Sequence, residues 1–269
     1  MDFDINNIII EDNLNGLLEK RLSDYVGHFY CSNGSCEIMF NEKAEAFSKG
    51  DCMIIVVPSM ISGIKPTEDF QVKAIYTSHP FLESCAPRNN HAIKGTLALY
   101  IDPIWHLTEK EKHICERNFQ QVEERLAETD HAYHRDLMIS VVQTFFLDFY
   151  NFQVRIFGKS NIQEHKASIM LRFIQMLQEG VYREHRKVSY FADKLCVTPK
   201  YLSEVSKKTS GFSANYWINR FTVIEINRLL KDRSLTFAEI SEQLNFSSPA
   251  YFTHYVQTYL GDSPSAHRQ

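Results

Sequence analysis

Cysteine and histidine are the residues whose chemistry would be most specific if their spacing were suitable. The six cysteines are irregularly separated, with no Cys-x-x-Cys pair and no histidine at metal-ligand distance, so we interpret them as reduced thiols. The histidines of the first half are also too scattered to form a recognisable ligand set; they are His28, His79, His91, His106 and His113. The sequence therefore predicts no metal site and no cofactor.

Charged residues are distributed unevenly along the chain. Residues 1–159 contain 15 Lys and Arg against 23 Asp and Glu, a net charge of -8, whereas residues 160–269 contain 14 against 10, a net charge of +4. A basic C-terminal part is typical of a nucleic-acid partner, but two domains with different surfaces would give the same asymmetry. Charge alone leaves both interpretations open.

The basic part contains an internal repeat with a period of 50 residues. The segment "VTPKYLSEV" at 197–205 is followed by "SSPAYFTHY" at 247–255. Aligning Thr198 with Ser248 also superimposes a proline, a tyrosine and a later glycine in each copy. One structural unit has therefore been built twice.

The repeated unit has the local signals of a short helix, a turn and a second, capped helix. Thr198 and Ser248 are suitable N-caps, because each precedes a proline at the first helical position, and a glycine closes each helix. Asn245 in the second turn tolerates the left-handed conformation, and Cys196 has the comparable place in the first copy. Thr236, with glutamate three residues later, predicts a capping box. These features define helix-turn-helix units.

Apolar residues at helical spacing in each second helix predict its buried face. Tyr201, Leu202 and Val205 recur in the first copy, and Tyr251, Phe252 and the pair 255–256 recur in the second. We interpret them as core residues, not as platforms for stacking bases. The opposite stripe of each helix is then expected to face outward.

The first half has different periodicities. Residues 38–47 and 70–78 alternate apolar and polar side chains, and "SKGDCMIIVVP" is a turn followed by a β-branched strand, so antiparallel β structure is predicted. From about Glu109 the spacing becomes helical and predicts two amphipathic helices. The second has a stripe wide enough to cover both its own domain and a second subunit, which makes it a candidate dimerisation surface; its residues are Leu137, Val141, Phe145 and Phe149.

Length and composition limit the overall organisation. The 269 residues and the hydrophobic share of 44% are sufficient for two globular domains. The longest apolar run, "MIIVVP", is too short to span a bilayer. We expect a soluble, cytoplasmic protein that does not associate with a membrane.

The C-terminal features together resemble the AraC/XylS family of bacterial transcription regulators. The resemblance covers roughly residues 162–269 and is carried by the two helix-turn-helix units, the linking helix ending "NRLLKD" and the closing "LNFSSPAYFTHYVQTYLGDSPSAHR". It implies that each second helix enters a major groove of DNA. The linking helix of about 18 residues would span roughly 27 Å, compatible with successive major grooves about 34 Å apart.

The resemblance also implies positions of DNA contact. In the first unit these are Thr198, Lys200, Ser203, Glu204 and Lys207. In the second unit they are Ser248, Pro249, Ala250, Thr253, His254 and Gln257. These side chains are chemically suitable, since Glu can accept from a cytosine amino group, Ala can contact a thymine methyl and Thr or Gln can bond base edges.

Some positions depart from the family pattern. The linking helix has Thr222 and Ile226 where arginine and alanine are usual, and Asn245 replaces the usual glycine of the second turn. Residues 256–257 replace an aromatic residue and a lysine. Because lysine and arginine supply most of the sequence-independent affinity for DNA, the second unit is expected to grip phosphate less strongly than the first.

The N-terminal half resembles the cupin-like sensor domain of many such regulators. We therefore predict a two-domain α+β protein: residues 1–158 form a β-rich, cupin-like barrel with a helical hairpin, for effector sensing and dimerisation, and residues 159–269 form an all-α double helix-turn-helix domain. The resemblance implies a homodimer that binds double-stranded DNA and a small-molecule effector, with RNA polymerase as a further candidate partner.

Two alternative classes of function stay open. A metal-dependent cupin enzyme would need histidines in the first cupin motif, and a further histidine after the strand that ends "VVP". The sequence there is "PSMISGIK" and contains no histidine, so we predict that the protein is not an enzyme. A protein-interaction module that reuses helix-turn-helix units is favoured by the weak charge of the second unit. Salt-dependent DNA binding distinguishes this alternative from a regulator.

Overall fold

The structure, a computed structural model, describes residues 4–41, 43–85, 93–158 and 163–268. The chain divides into two compact units, residues 1–161 and residues 162–269. The N-terminal unit combines β-sheets with helices, and the C-terminal unit is helical. The predicted α+β class is therefore confirmed. Within the described ranges, no helix is both long enough and apolar enough to cross a membrane.

The described part of the N-terminal unit contains eight strands in two antiparallel sheets. The larger sheet has the order β1-β7-β2-β5-β8 and the smaller has the order β4-β3-β6. The strands are β1 (Ile8–Glu11), β2 (Tyr25–Asn33), β3 (Ser35–Phe40), β4 (Lys43–Ser48), β5 (Asp51–Ile55), β6 (Ile61–Pro66), β7 (Gln71–Ser78) and β8 (Ile104–His106).

The described part of the N-terminal unit also contains four α-helices: α1 (His79–Cys85), α2 (Ile93–Ala98), α3 (Glu109–Leu126) and α4 (His134–Phe157). The two long helices match the two that the sequence predicts. Thr108 begins α3 with a capping box, since its side chain accepts from the backbone of Glu111 and the Glu111 carboxylate bonds back to the Thr108 backbone. The pair α3 and α4 covers one face of the larger sheet.

The face of α4 that the sequence marks as a candidate dimerisation surface belongs largely to this core. Phe145 and Phe149 are 3% and 2% exposed and pack with Phe119, Trp105 and His28. The placement of these two phenylalanines at a subunit contact is therefore corrected: both are needed inside their own unit, because large aromatic side chains dominate the apolar area that the sheet must cover. Leu137 and Val141 are half-buried.

The opposite face of the larger sheet is buried as well. Phe29 and Tyr76 lie on it with ring centroids 5.4 Å apart, and both are fully buried. A side chain at Gly27 would meet the Phe29 ring at 2.5 Å. Aromatic side chains thus fill the space on this face.

The described part of the C-terminal unit contains six α-helices: α5 (Glu164–Gln178), α6 (Val188–Lys194), α7 (Pro199–Ser210), α8 (Ala214–Lys231), α9 (Phe237–Gln243) and α10 (Pro249–Leu260). The helices α6, α7, α9 and α10 correspond to the two repeated units that the sequence predicts, and α8 corresponds to the predicted linking helix. The linking helix α8 is continuous over 18 residues. Its first half buries Trp217, Ile218 and Phe221, and its second half buries the residues that form the core of the second helix-turn-helix unit, including Leu229 and Leu230.

The two family departures in α8 lie in this core. Thr222 and Ile226 are completely buried, and the Thr222 hydroxyl donates to the carbonyl of Ile218 at 2.8 Å. These two positions therefore stabilise the unit from inside, and neither offers a side chain to a ligand at the surface.

Candidate nucleic-acid interface

The two turns of the helix-turn-helix units have the same backbone geometry. Cys196 and Asn245 both adopt left-handed conformations, with φ of 56° and 48°. In each turn this residue donates its N–H to the carbonyl three residues earlier, and the next N–H bonds to the carbonyl five residues before it. This is the Schellman arrangement that ends a helix sharply. The predicted equivalence of the two positions is confirmed.

The two second helices, α7 and α10, also begin and end alike. The side chains of Thr198 and Ser248 each accept the N–H of a tyrosine three residues later at 3.1 Å, and proline follows each cap. Gly211 and Gly261 end the helices with φ of 86° and 89°. Both helices therefore have 12 residues and the same caps, as the repeat predicts.

The outward stripe of α7 is basic and accessible. Lys200, Glu204 and Lys207 are exposed and Ser203 is half-buried, whereas Leu202 and Val205 are buried on the opposite side. Lys200, Lys207 and the adjacent Lys208 form no ion pair with any other residue that the structure describes. The stripe can therefore offer unpaired cations to an anionic ligand.

The outward stripe of α10 is polar but uncharged. Ala250, His254 and Gln257 are exposed together with Pro249 at the start of the helix. Thr253 is half-buried and donates its hydroxyl to the Pro249 carbonyl at 3.0 Å, which leaves an oxygen lone pair to accept from a base edge. The helix itself contains no lysine or arginine.

One predicted core residue of α10 is in fact at the surface. Tyr251 is 49% exposed, so its assignment to the core is wrong. The ring of Phe246, which comes from the turn, packs against Phe252 and Tyr255 at centroid distances of 5.3 and 5.2 Å. Because the turn supplies the aromatic ring that fills this place, Tyr251 is left at its outer edge, with a centroid 5.8 Å from that of Phe246.

A groove of about 1030 Å³ runs beside α10 within the C-terminal unit. Its walls come from the start of α6, the start of α8 and the side of α10 that contains Tyr251 and His254. Lys187, Asn215 and Tyr190 also line it, and none of these three stands out in the sequence. Their involvement depends on the packing of three helices, so a comparison of the two repeats alone gives no signal for them.

The described ranges contain no cluster of side chains suited to bind a metal ion. No three His, Cys, Asp or Glu side chains there come close enough together to hold a metal ion. His28 lies in the core of the N-terminal unit, where burial lowers its pKa to about 4, and His106 Nδ1 lies 2.8 Å from the Asp51 carboxylate. Five cysteines are buried free thiols, and Cys196 is exposed.

Comparison with known proteins concerns mainly the C-terminal unit. A family model described as a helix-turn-helix domain matches residues 191–269. The regulatory protein PocR of Salmonella typhimurium is 31% identical over 78 residues, which are 29% of this chain and 26% of that protein. The Msm operon regulatory protein of Streptococcus mutans is 26% identical over 115 residues, 42% of this chain and 41% of that protein.

The transcriptional regulator ExsA of Pseudomonas aeruginosa is 26% identical over 96 residues, 36% of this chain and 34% of that protein. The chain thus matches less than half of the length of each of these relatives. Among solved structures, fatty-acid-bound ToxT of Vibrio cholerae is similar with a TM-score of 0.46 and 13% identity, covering 91% of this chain and 87% of that one. The AraC-like activator CuxR gives 0.40 and 11%, with 86% and 79% covered.

The C-terminal unit is therefore a double helix-turn-helix domain of the class found in transcription regulators. Through residues 191–269 the chain contains a member of this helix-turn-helix domain family.

Proposed function

We propose that this protein is a sequence-specific DNA-binding transcription regulator. The observation that carries the proposal is the duplication: α7 and α10 have the same length, caps and preceding turn, and each exposes a polar stripe beside its buried face. Two equivalent helices on one domain suit two successive major grooves of a duplex.

The two helices make different kinds of contact with DNA. Lys200, Lys207 and Lys208 on α7 contact phosphates, because unpaired exposed cations release counterions when they bind DNA. On α10, Thr253, His254 and Gln257 contact base edges, since uncharged polar groups gain little from the phosphate backbone. Ser203 and Glu204 contribute base contacts in the first groove. Thr198 and Ser248, at the starts of α7 and α10, position these helices against the DNA backbone.

The first prediction concerns this division of roles. Lys207→Ala should weaken binding of the full chain to all DNA sequences alike and lower the slope of log affinity against log salt by about 1. Replacing Thr253 and His254 together with alanine should cost about 1–3 kcal/mol on the preferred site and little on random DNA. Binding isotherms at several salt concentrations measure both effects, on a duplex selected by the parent protein from a random pool.

The matched control is Lys110→Ala, which removes one exposed lysine from the N-terminal unit. It should leave both the affinity and the salt slope unchanged. If the parent protein selects no sequence and its binding is independent of salt, the regulator proposal fails and the double helix-turn-helix domain serves protein contacts instead. If scrambling the base pairs in the groove contacted by α10 does not change the affinity, only the first unit recognises sequence.

The N-terminal unit provides the regulatory half of the proposal. Its two antiparallel sheets close into a cupin-like barrel that senses a small-molecule effector, and the unit mediates homodimer formation, with RNA polymerase as a further partner. The support is the family resemblance and the arrangement of a smaller sheet beside a larger one whose other face is covered by α3 and α4. A compound screen for changes in the DNA affinity of the full chain tests the effector role; a parent whose affinity responds to no bound compound contradicts it.

A further inference from the structure

Arg186 joins the two helix-turn-helix units within the C-terminal unit. It lies two residues before α6, the first helix of the first unit, and its guanidinium donates to the carbonyls of Leu244 and Asn245, the latter at 2.6 Å. Those residues follow directly after α9, the first helix of the second unit, and Leu244 is its C-cap. The guanidinium also lies over the Phe246 ring, 4.1 Å from its centroid. One side chain therefore contacts three consecutive residues of the second turn.

The Arg186 guanidinium also bonds to the segment that precedes α6, on the side of the first unit. Arg186 Nη1 also donates to the carbonyls of Tyr182 and Arg183 at 3.3 and 3.0 Å. Helix-terminal carbonyls have no partner within their helix, and a planar cationic donor satisfies them while opposing the negative end of the helix dipole. The contacts span 58 and 59 residues of sequence, so Arg186 connects two segments that are otherwise joined through α7 and α8.

Asn245 strengthens the same connection. Its side-chain amide donates to the carbonyl of Glu184 at 3.2 Å. This is the position at which the family usually has glycine. A glycine would meet the left-handed φ of 48° without cost, but only a side chain can reach across to the segment before α6. Cys196, the equivalent residue of the first unit, is exposed and lies in no such connection among the described contacts.

A further tie runs between the linking helix and α10. Asn219 on α8 accepts from the Tyr255 hydroxyl at 2.9 Å and donates to the Tyr259 hydroxyl at 2.6 Å. The second unit is thus held by its own core on α8, by Asn219 and by Arg186. A helix that joins two bodies alone can bend or twist, whereas a second connection at a distance from it closes the path and removes that freedom.

We propose that Arg186 and Asn245 form an interlock that fixes the separation of α7 and α10, so that the protein accepts two half-sites at one spacing only. The inference rests on the proposed function. Two sites recognised by one rigid body contribute jointly to affinity only when the geometry allows both to bind at once. Arg186 is therefore a positioning residue for recognition of DNA, and it requires no contact with the DNA itself.

The experiment compares full-length Arg186→Met with the parent. Methionine keeps an unbranched, apolar stem but removes every donor. Arg172→Met is the matched control, because it removes one exposed arginine from α5 of the same unit. Asn245→Gly is a milder second variant that keeps the backbone conformation and loses only the bond to Glu184. The probes are the duplex selected by the parent, the same duplex with one or two base pairs inserted between the half-sites, and duplexes with one half-site scrambled.

We expect Arg186→Met to bind the selected duplex about tenfold more weakly and to discriminate about tenfold less against the inserted base pairs, as for two sites that lose a fixed geometry. Its affinity for each scrambled duplex should stay within about twofold of the parent, since α7 and α10 keep their own caps and their outward stripes. Asn245→Gly should show the same pattern in reduced form, and Arg172→Met should match the parent. Parental discrimination in both interlock variants overturns the proposal, as does an equal loss on all duplexes.

A measurement without DNA separates the interlock from the proposed function. In a Cys196→Ser background, spin labels are attached at Lys208→Cys on α7 and Glu242→Cys on α9, both exposed positions. The parental background should give one narrow distribution of label distances, and Arg186→Met should broaden it. An unchanged narrow distribution contradicts the interlock even if DNA binding is confirmed. If Arg186→Met broadens the distribution but the unlabelled parent protein does not bind DNA, the interlock is supported and the proposed function is rejected.

Discussion

At the scale of single residues, His28 is the buried group with the clearest consequence for stability. It is 3% exposed, faces Phe145, Phe146 and Phe149 at centroid distances of 5.3 to 6.0 Å, and its Nδ1 has no hydrogen-bond partner among the described atoms. Burial lowers its pKa to about 4 against an ordinary value of 6.5, although a hydrogen bond with the backbone of Ile75 opposes the shift. The folded protein therefore keeps this ring neutral in mild acid.

This shift predicts a specific pH dependence. Between pH 6.5 and 4 the unfolded chain binds a proton that the folded chain does not, so the free energy of unfolding falls as the pH falls. By pH 5 the loss is about 2 kcal/mol. Denaturant unfolding at pH 8 and pH 5 should show this loss in the parent and a correspondingly smaller one in His28→Leu. Replacement of the exposed His113 by leucine is the control, and an equal loss in parent and His28→Leu contradicts the prediction.

At the scale of elements, the duplicated helix-turn-helix unit shows two solutions to one backbone requirement. Both turns need a left-handed residue after the first helix, and the chain provides Cys196 in one and Asn245 in the other. The left-handed conformation costs most residues about 1–2 kcal/mol, whereas asparagine adopts it more readily. The first turn therefore carries a cost that the second largely avoids.

The cost at Cys196 predicts a stabilising substitution. Cys196→Asn should raise the free energy of unfolding by about 1 kcal/mol, because the side chain is exposed and no buried contact is lost. Cys196→Ala is the matched control, since alanine meets the same steric penalty and should give no gain. Equal stability of all three proteins in denaturant unfolding would show that the turn is not strained at this position.

At the scale of the whole molecule, the two units have separate cores, and α4 illustrates what this means for assembly. Phe145 is part of the core cluster of the N-terminal unit, whereas Val141 lies at the edge of that cluster and is half-buried. The proposed homodimer therefore has to use the edge of α4 or another surface. A glutamate at position 145 would place an unpaired charge in an apolar core.

The two positions consequently predict different failures. Phe145→Glu should abolish or strongly lower the calorimetric transition of the N-terminal unit, at a cost of more than about 3 kcal/mol, and leave the transition of the C-terminal unit in place. Val141→Glu should stay folded and shift the sedimentation of the full chain from dimer to monomer. A parent chain that sediments as a monomer at tens of micromolar rejects this interface, and a folded Phe145→Glu protein contradicts its core placement.

The sequence by itself determined the features that depend on residues within a few positions of one another. Thr198 and Ser248 bond to backbone groups three residues away, the Schellman turns close over five residues, and glycine ends both α7 and α10. Such local interactions are encoded wherever the right residue types stand at the right spacing. The repeat with its four helices, the linking helix and the two long helices of the first half were therefore predictable.

Only the tertiary structure decided which faces of these elements are occupied. Apolar periodicity marks a buried stripe without saying what buries it, so Phe145 and Phe149 were included in a candidate dimerisation surface, whereas the adjacent sheet covers them. Tyr251 was assigned to a core place that the ring of Phe246 fills. The contact of Arg186 with the second turn, 58 residues away, leaves no local trace, because its partners are backbone carbonyls that every residue possesses.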